Sequence, residues 1–159
     1  MAALTTVSIR IATIEDRGAL WDWYGEPLHR LAYRRPRLED PDRHKAWWSG
    51  IIANPRVTLC IGLIDIVRIG CVRFDDLGRG IFEVRAYLKP AYCRQNLLPM
   101  LLDAAMAFVA DLKNADEFRM RLNRTHPGIG SILPRLPDDE ITETENAILF
   151  RRTRQKPAA

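Results

Sequence analysis

Between Glu83 and Leu102 the chain reads EVRAYLKPAYCRQNLLPMLL. Strand-forming residues run up to Pro90, and a long amphipathic run begins near Leu97. The residues between them, Ala91 to Asn96, read as a short polar loop. A strand, a tight loop and a helix in that order confine the middle of the chain to one local geometry. The first turn of the helix leaves backbone N–H groups without partners, and the macrodipole adds partial positive charge there. Such a start attracts an anion, phosphate above all.

The 159 residues fit one domain with a substantial core. Hydrophobic content of 47% and charged content of 28% place it among ordinary globular chains rather than disordered ones. The net charge is +4, and Arg greatly outnumbers Lys among the 24 basic residues. Arg suits bidentate contact with phosphate or carboxylate, so an anionic ligand and a simple compositional bias toward Arg both stay open. Cys60, Cys71 and Cys93 are odd in number and show no C-x-x-C pairing, against a disulfide framework or a zinc site. No apolar run reaches the roughly 20 residues of a bilayer span. The stretch MAALTTVSIR lacks the basic and apolar regions of a signal peptide. A cytoplasmic protein with no membrane partner is the expectation.

Taken in order, Val7 to Thr13 alternates as a half-buried strand does. Thr13, with Asp16 three positions on, has the form of a capping box for a helix over 14–24, with Leu20, Trp21 and Tyr24 at helical spacing. Leu28 to Asp42 is polar, with Arg30, Arg34, Arg35 and Arg37 around Tyr33. It reads as a solvated loop or as an anion clamp; one aromatic among arginines is weak support for nucleic acid. His44 to Asn54 forms a second helix, with Trp47, Ile51 and, as a further candidate, Trp48 on the inner face. Strands follow at 56–64 and 67–74. Asp65-Ile66 is poor material for a primed two-residue turn, so a longer or bulged connection is expected. Cys60 and Cys71 fall near each other across this pair as reduced, small hydrophobes. A turn at Asp75 to Gly80 leads to a strand over 80–88.

The long helix then runs from Leu97 to Leu112, with Leu97, Leu101, Ala104, Ala105, Phe108 and Leu112 toward the sheet and Pro99 in the first turn. Phe118, Met120 and Leu122 share one face of a further strand. A short helix over 131–136 and strands at 141–144 and 147–151 complete the domain, 1–151. A basic tail, 152–159, is expected to fray.

The motifs I-G-x-V-R-F-D before the loop, L-x-P-x-Y into it and L-L-x-x-A after it resemble the GNAT N-acetyltransferase superfamily, over roughly Val7 to Phe150. Within that superfamily, the helix–Pro–strand order after H-x-x-W is similar to members that acetylate nucleotide-linked amino sugars. The family's pyrophosphate loop reads Q/R-x-x-G-x-G/A, and here Cys93, Asn96 and Leu98 occupy its diagnostic positions.

The resemblance implies an α/β (α+β) fold, a mixed, mostly antiparallel sheet of six to seven strands with about four helices. It implies acetyl-CoA as cofactor, lying against Leu88, Cys93, Arg94, Gln95, Asn96, Leu97 and Leu98 where the fourth and fifth strands splay, with Asn123 facing the pantetheine arm. Leu98 is expected to rise toward the pyrophosphate. Glu83 is the candidate general base, or else the partner of Arg73 or Arg85. His126 is a second acid or base candidate, and the last helix has no Tyr to serve as acid. Arg34, Arg35, Trp47 and Arg73 are placed around a small anionic acceptor amine. Two functions stay open: an N-acetyltransferase, or a catalytically inert GNAT fold serving as a binding or structural module, as a homodimer or in an assembly.

Overall fold

The computed structural model describes residues 4–25, 40–93, 97–124 and 140–154. Strand β1 (Ser8–Ile11) leads into a 3-10 turn, Ile14–Asp16, and helix α1 (Arg17–Gly25). Helix α2 (Pro41–Ala53) precedes strands β2 (Val57–Ile64), β3 (Val67–Gly78) and β4 (Ile81–Leu88). A single turn, α3 (Pro90–Cys93), and the long α4 (Leu97–Lys113) lead to β5 (Glu117–Asn123), β6 (Glu140–Glu143) and β7 (Ala147–Thr153). One seven-stranded sheet runs in the order β1-β2-β3-β4-β5-β7-β6. Every neighbouring pair is antiparallel except β4 with β5, and α3–α4 supply the crossover that a parallel pair requires. The expected fold class is thus the observed one.

The sheet divides its residues by parity. On β4, Phe82, Val84, Ala86 and Leu88 point toward α4, as do Phe118, Met120 and Leu122 on β5. The helix answers with Leu97, Leu98, Leu101, Leu102, Ala105, Met106 and Val109, all buried. This stripe is wider than expected and turned from it: Ala104 and Phe108 are only half-buried, and Leu112 is 51% exposed. The helix lies against β1 through β4 at once, so a broad face is covered. On the other side, α1 and α2 cover Leu59, Ile61 and Tyr87 with Leu20, Trp23 and Trp48. Trp23 takes the inward place expected of Trp21. Trp48 is fully buried while Trp47 is half-buried beside it, the reverse of the expected emphasis.

Several boundaries move for local reasons. Helix α2 begins at Pro41 because Asp40 caps it, Oδ1 accepting from the Asp42 N–H at 2.8 Å, with Pro at N1. Strand β3 runs through the stretch expected to turn and pairs Asp75 with Glu83. The reversal itself sits at Arg79-Gly80, both at positive φ. The β2–β3 connection is tight after all, with Asp65 at φ 53°, and the irregularity falls instead in a bulge at Gly62/Leu63. Strand β7 runs past the boundary set at Arg151. The Arg154 N–H donates to the Asp116 carbonyl at 2.8 Å, and its guanidinium reaches the Ala110 carbonyl at 3.1 Å. Arg152 to Arg154 therefore belong to the folded part, and 155–159 lie outside the described residues.

Cys60 and Cys71 are free and sit on adjacent strands, but the register sets Cys60 opposite Val72 and Cys71 opposite Ile61. Cys60 packs toward α4 and Cys71 toward the cluster under α1 and α2. Burial pushes both thiols up to about 12, so they stay protonated hydrophobes at neutral pH.

Gly70 is a close approach. A methyl group there would strike the main-chain carbonyl of Tyr87, and β4 cannot retreat without breaking its ladder. Gly70→Ala should cost about 1–3 kcal/mol in urea unfolding. Gly18 has open space around its Cβ position and lies in α1. Gly18→Ala should instead stabilise by about 0.5–1 kcal/mol in the same measurement.

The N-terminal corner is tied by one buried acid. Asp16 has no exposed side-chain surface. Its carboxylate accepts from Arg10 Nη1 and Nη2 at 2.8 Å each, from Arg68 Nε at 2.8 Å and from the Thr13 N–H at 2.7 Å. The last bond is the acidic half of the expected capping box. Strand β1, the start of α1 and β3 thereby meet on one side chain. Burial alone would raise this carboxyl's pKa; the donors from Arg10, Thr13 and Arg68 outweigh it and hold the group well below the usual range.

Candidate functional site

The parallel ladder between β4 and β5 is short. Ile81 to Val84 pair with Glu117 to Met120, and there the pairing ends. Strand β4 keeps its other partner through Leu88 opposite Gly70, and the Lys89 N–H extends that edge to the Ile69 carbonyl at 2.8 Å. Residues 85–88 and 121–123 therefore line a wedge in the sheet. One wall is a β4 edge that has lost its β5 partner, and the chain leaves the open end of that edge, after Leu88, into α3–α4.

The expected cofactor positions fall around this wedge in different ways. Leu88, Leu97 and Leu98 are buried in the α4 core. Leu98 is fully buried, so the expectation that its side chain rises toward a pyrophosphate is corrected. An α-helix buries two adjacent residues when its covered face is wide, and Leu97-Leu98 is such a pair. What these three leucines offer a ligand is main chain. The loop expected at 91–96 is helical up to Cys93, the Tyr92 N–H donating to the Lys89 carbonyl at 2.9 Å. Arg94, Gln95 and Asn96 lie outside the described residues, as does the side chain of Cys93. Asn123 ends β5 opposite Ala147, at the wedge, its side chain likewise outside the description. The first turn of α4 holds no acidic residue, so nothing there opposes an anion.

On the face away from α4, β3, β4 and β5 each carry an arginine and a carboxylate two residues apart. Arg73 binds Asp75 through Nε and Nη2, the shortest contact 2.7 Å. Arg85 Nε and Nη2 both donate to Glu83 Oε1, at 3.1 and 2.9 Å. Arg119 Nε donates to Glu117 Oε2 at 2.6 Å. Of the two partners expected for Glu83, the structure selects Arg85. Glu83 Oε2 has no hydrogen bond among the described residues, and the side chain is 41% exposed. Register places Asp75 opposite Glu83 on one side and Arg119 on the other.

The same face opens into a groove of about 520 Å³, lined among others by Glu83, Arg119, Arg121, Thr142, Leu149 and Arg151. Sequence reading missed these arginines. It used the inward residues of F-R-M-R-L and not the alternate positions, whose period of two carries Arg119 and Arg121 to the outer face. Arg34, Arg35 and His126 lie outside the described residues. Trp47 packs against the α1–α2 cluster, on the side of the sheet that Arg73 shares. Among the described residues no group of three or more His, Cys, Asp or Glu could hold a metal, and no helix is long and apolar enough to cross a membrane.

No family model matches the sequence. No curated protein sequence matches it either. Solved structures match over nearly the whole chain. The spermidine N-acetyltransferase of Vibrio cholerae, in complex with coenzyme A and spermine, superposes with a TM-score of 0.79 at 9% identity, covering 93% of this chain and 95% of its own. RimL, a ribosomal alpha-N-protein acetyltransferase in complex with coenzyme A, gives 0.77 at 12%, covering 96% of each chain. The N-acetyltransferase PseH of Campylobacter jejuni gives 0.68 at 10%, covering 94% of this chain and 99% of its own. Identities this low carry the architecture and not the chemistry. With the wedge between β4 and β5, the sheet order and the α3–α4 crossover all in place, the chain has the fold of the GNAT acetyltransferases.

Proposed function

We propose that this chain is an N-acetyltransferase that moves an acetyl group from acetyl-CoA to the amine of a small anionic acceptor, such as a nucleotide-linked amino sugar. The observation that carries this is the parting of β4 from β5 after Val84 and Met120, beside the start of α4. The fold is shared with acetyltransferases in complex with coenzyme A, and these give an inert-module reading no support. The burial of the Leu98 side chain in the α4 core supports this reading.

In this proposal the main chain of Leu88 and of 93–98, including Cys93, Arg94, Gln95, Asn96, Leu97 and Leu98, holds the cofactor, and Asn123 faces its pantetheine arm. Acetyl-CoA supplies the acetyl group as a thioester. Glu83 takes the proton that the amine must lose to become nucleophilic. Arg85 fixes Glu83 through Oε1 and leaves Oε2 toward the acceptor. His126 is the second proton-handling residue, and Arg34, Arg35, Trp47 and Arg73 border the acceptor. An anionic acceptor suits the outer face, where Arg73, Arg85, Arg119, Arg121 and Arg151 outnumber by one the acids that register places there, Asp75, Glu83, Glu117 and Glu140.

Calorimetry with acetyl-CoA should give saturable heat at one site per chain. Glu83→Gln should keep that affinity and lower acetyl transfer by about 10²–10⁴-fold. A wild-type chain that takes up no acetyl-CoA would end the proposal.

A further inference from the structure

We propose that Glu117 is a positioning residue for Glu83: it holds Arg119 on its own strand and so keeps one Glu83 oxygen open to the acceptor amine. The role rests on the transferase reading and adds to it a residue that acts through a second side chain.

Besides Arg85 on its own strand, Glu83 has three charged neighbours by register. Asp75 stands directly opposite on β3, Arg73 lies diagonally on β3, and Arg119 stands directly opposite on β5. Opposite charges that face each other across a ladder attract, and the strands lie about 4.8 Å apart. Arg119 is therefore the cross-strand counter-ion that register offers Glu83. It turns instead to Glu117, two residues back on β5, with Nε donating to Oε2 at 2.6 Å. Glu83 keeps Oε2 without a hydrogen bond among the described residues, because Arg85 uses only Oε1.

Glu117 wins this competition as the drier carboxylate. Its side chain is 16% exposed, against 41% for Glu83, so water screens its charge less. Arg151 stands 3.6 Å from its Oε1, which leaves Oε2 to Arg119. The other cations near Glu83 are spoken for or misplaced. Asp75 takes both Nε and Nη2 of Arg73. Arg121 stands past the end of the ladder, where β5 has parted from β4. Among the described residues, Arg119 is thus the cation able to close on Glu83 Oε2, and Glu117 is what prevents it.

The consequence is chemical. A base must meet the amine proton at hydrogen-bond distance. A guanidinium on Oε2 would occupy the oxygen that Arg85 leaves open, and a second adjacent cation would oppose protonation of the carboxylate during transfer. Glu83 and Arg119 both line the groove of about 520 Å³, so the choice of partner is made where an acceptor has room to lie.

Glu117→Gln keeps the side chain's shape and removes its charge, which makes it the test in the full chain. The Arg119 guanidinium N–H signals in NMR read the contact without any chemistry. In Glu117→Gln they should stay protected from exchange with water, and adding Glu83→Gln should remove that protection. Protection already lost in Glu117→Gln alone would send Arg119 to solvent and overturn the role. In acetyl transfer to glucosamine 1-phosphate, Glu117→Gln should lower kcat by about 10–10²-fold with acetyl-CoA affinity intact. Adding Arg119→Gln should return kcat at saturating amine, with KM rising by what Arg119 gives the acceptor; a merely structural loss would not be rescued by removing a second charge. Unchanged kcat in the single variant, or no rescue in the double, would overturn the role. Where wild type binds acetyl-CoA and leaves this amine unacetylated, the N–H signals alone decide. A wild-type chain that takes up no acetyl-CoA would remove the transferase reading and the catalytic role together, and the N–H signals would then report an ion-pair exchange only.

Discussion

Asp16→Ala should lower the unfolding free energy by about 3 kcal/mol, measured by urea unfolding with an unchanged m-value. The loss sits at the low end for a broken buried ion pair because Arg10 and Arg68 are 38% and 36% exposed and still reach water. The Thr13 N–H loses its acceptor as well, so the entry into α1 frays with β1. The same carboxylate fixes the sign of an acid effect. Its folded pKa is depressed, so the stability it contributes is fully present above about pH 4, the ordinary aspartate value of the unfolded chain. That stability is lost as pH falls toward the depressed folded value. Wild type should therefore lose stability in acid more steeply than Asp16→Ala, and the gap between the two should narrow below about pH 4. A gap that stays constant with pH would show that the carboxylate's charge is not what holds the corner.

Leu98→Ala should cost about 2–5 kcal/mol, the range for deleting a fully buried leucine. Leu98→Gly should cost about 1 kcal/mol more from helix propensity. Neither change should tighten acetyl-CoA, because the side chain points away from the helix start. Thermal unfolding and acetyl-CoA calorimetry on the same variant separate the two readings. A folded Leu98→Gly protein that binds acetyl-CoA more tightly than wild type would restore the side-chain direction expected from the sequence.

The misplacement of Leu98 shows where sequence reading stops. A motif alignment fixes a residue's order along the chain, and the strand–helix order from Glu83 to Leu102 was legible for that reason. Which way a side chain faces depends on helix phase. Phase is set by contacts with strands distant in sequence, here β1 through β4. The same ambiguity made Trp48, the lesser candidate, the more buried of the two tryptophans and turned the α4 stripe toward Met106 and Val109, away from Leu112. Strand faces were clearer, since a period of two leaves one choice: Phe118, Met120 and Leu122 turned inward as expected. The pairing of Glu83 with Arg85 was foreseen as one of two partners, because i and i+2 share a face. The groove arginines were not, because β5 and β7 become neighbours only after the chain crosses from one to the other. The Asp40 cap escaped notice inside a polar stretch that looked uniform.

The lengths of the strands carry a consequence for how the chain behaves in a crowded solution. The inner strands β2, β3 and β4 have 8, 12 and 8 residues, while the outer strands β1 and β6 have four each. Both margins are also punctuated by charge, Arg10 on one and Glu140 and Glu143 on the other. A rim so short gives an incoming strand few main-chain groups to zip onto, and charge at the rim discourages a second sheet from stacking there. The most adhesive segment, VTLCIGLI, is the second strand in, paired from Val57 to Ile64 by β3 and only over Cys60 to Leu63 by β1. Fraying of β1 alone would bare its outer edge, so aggregation should follow loss of the Asp16 tie that holds β1 in place, ahead of global unfolding.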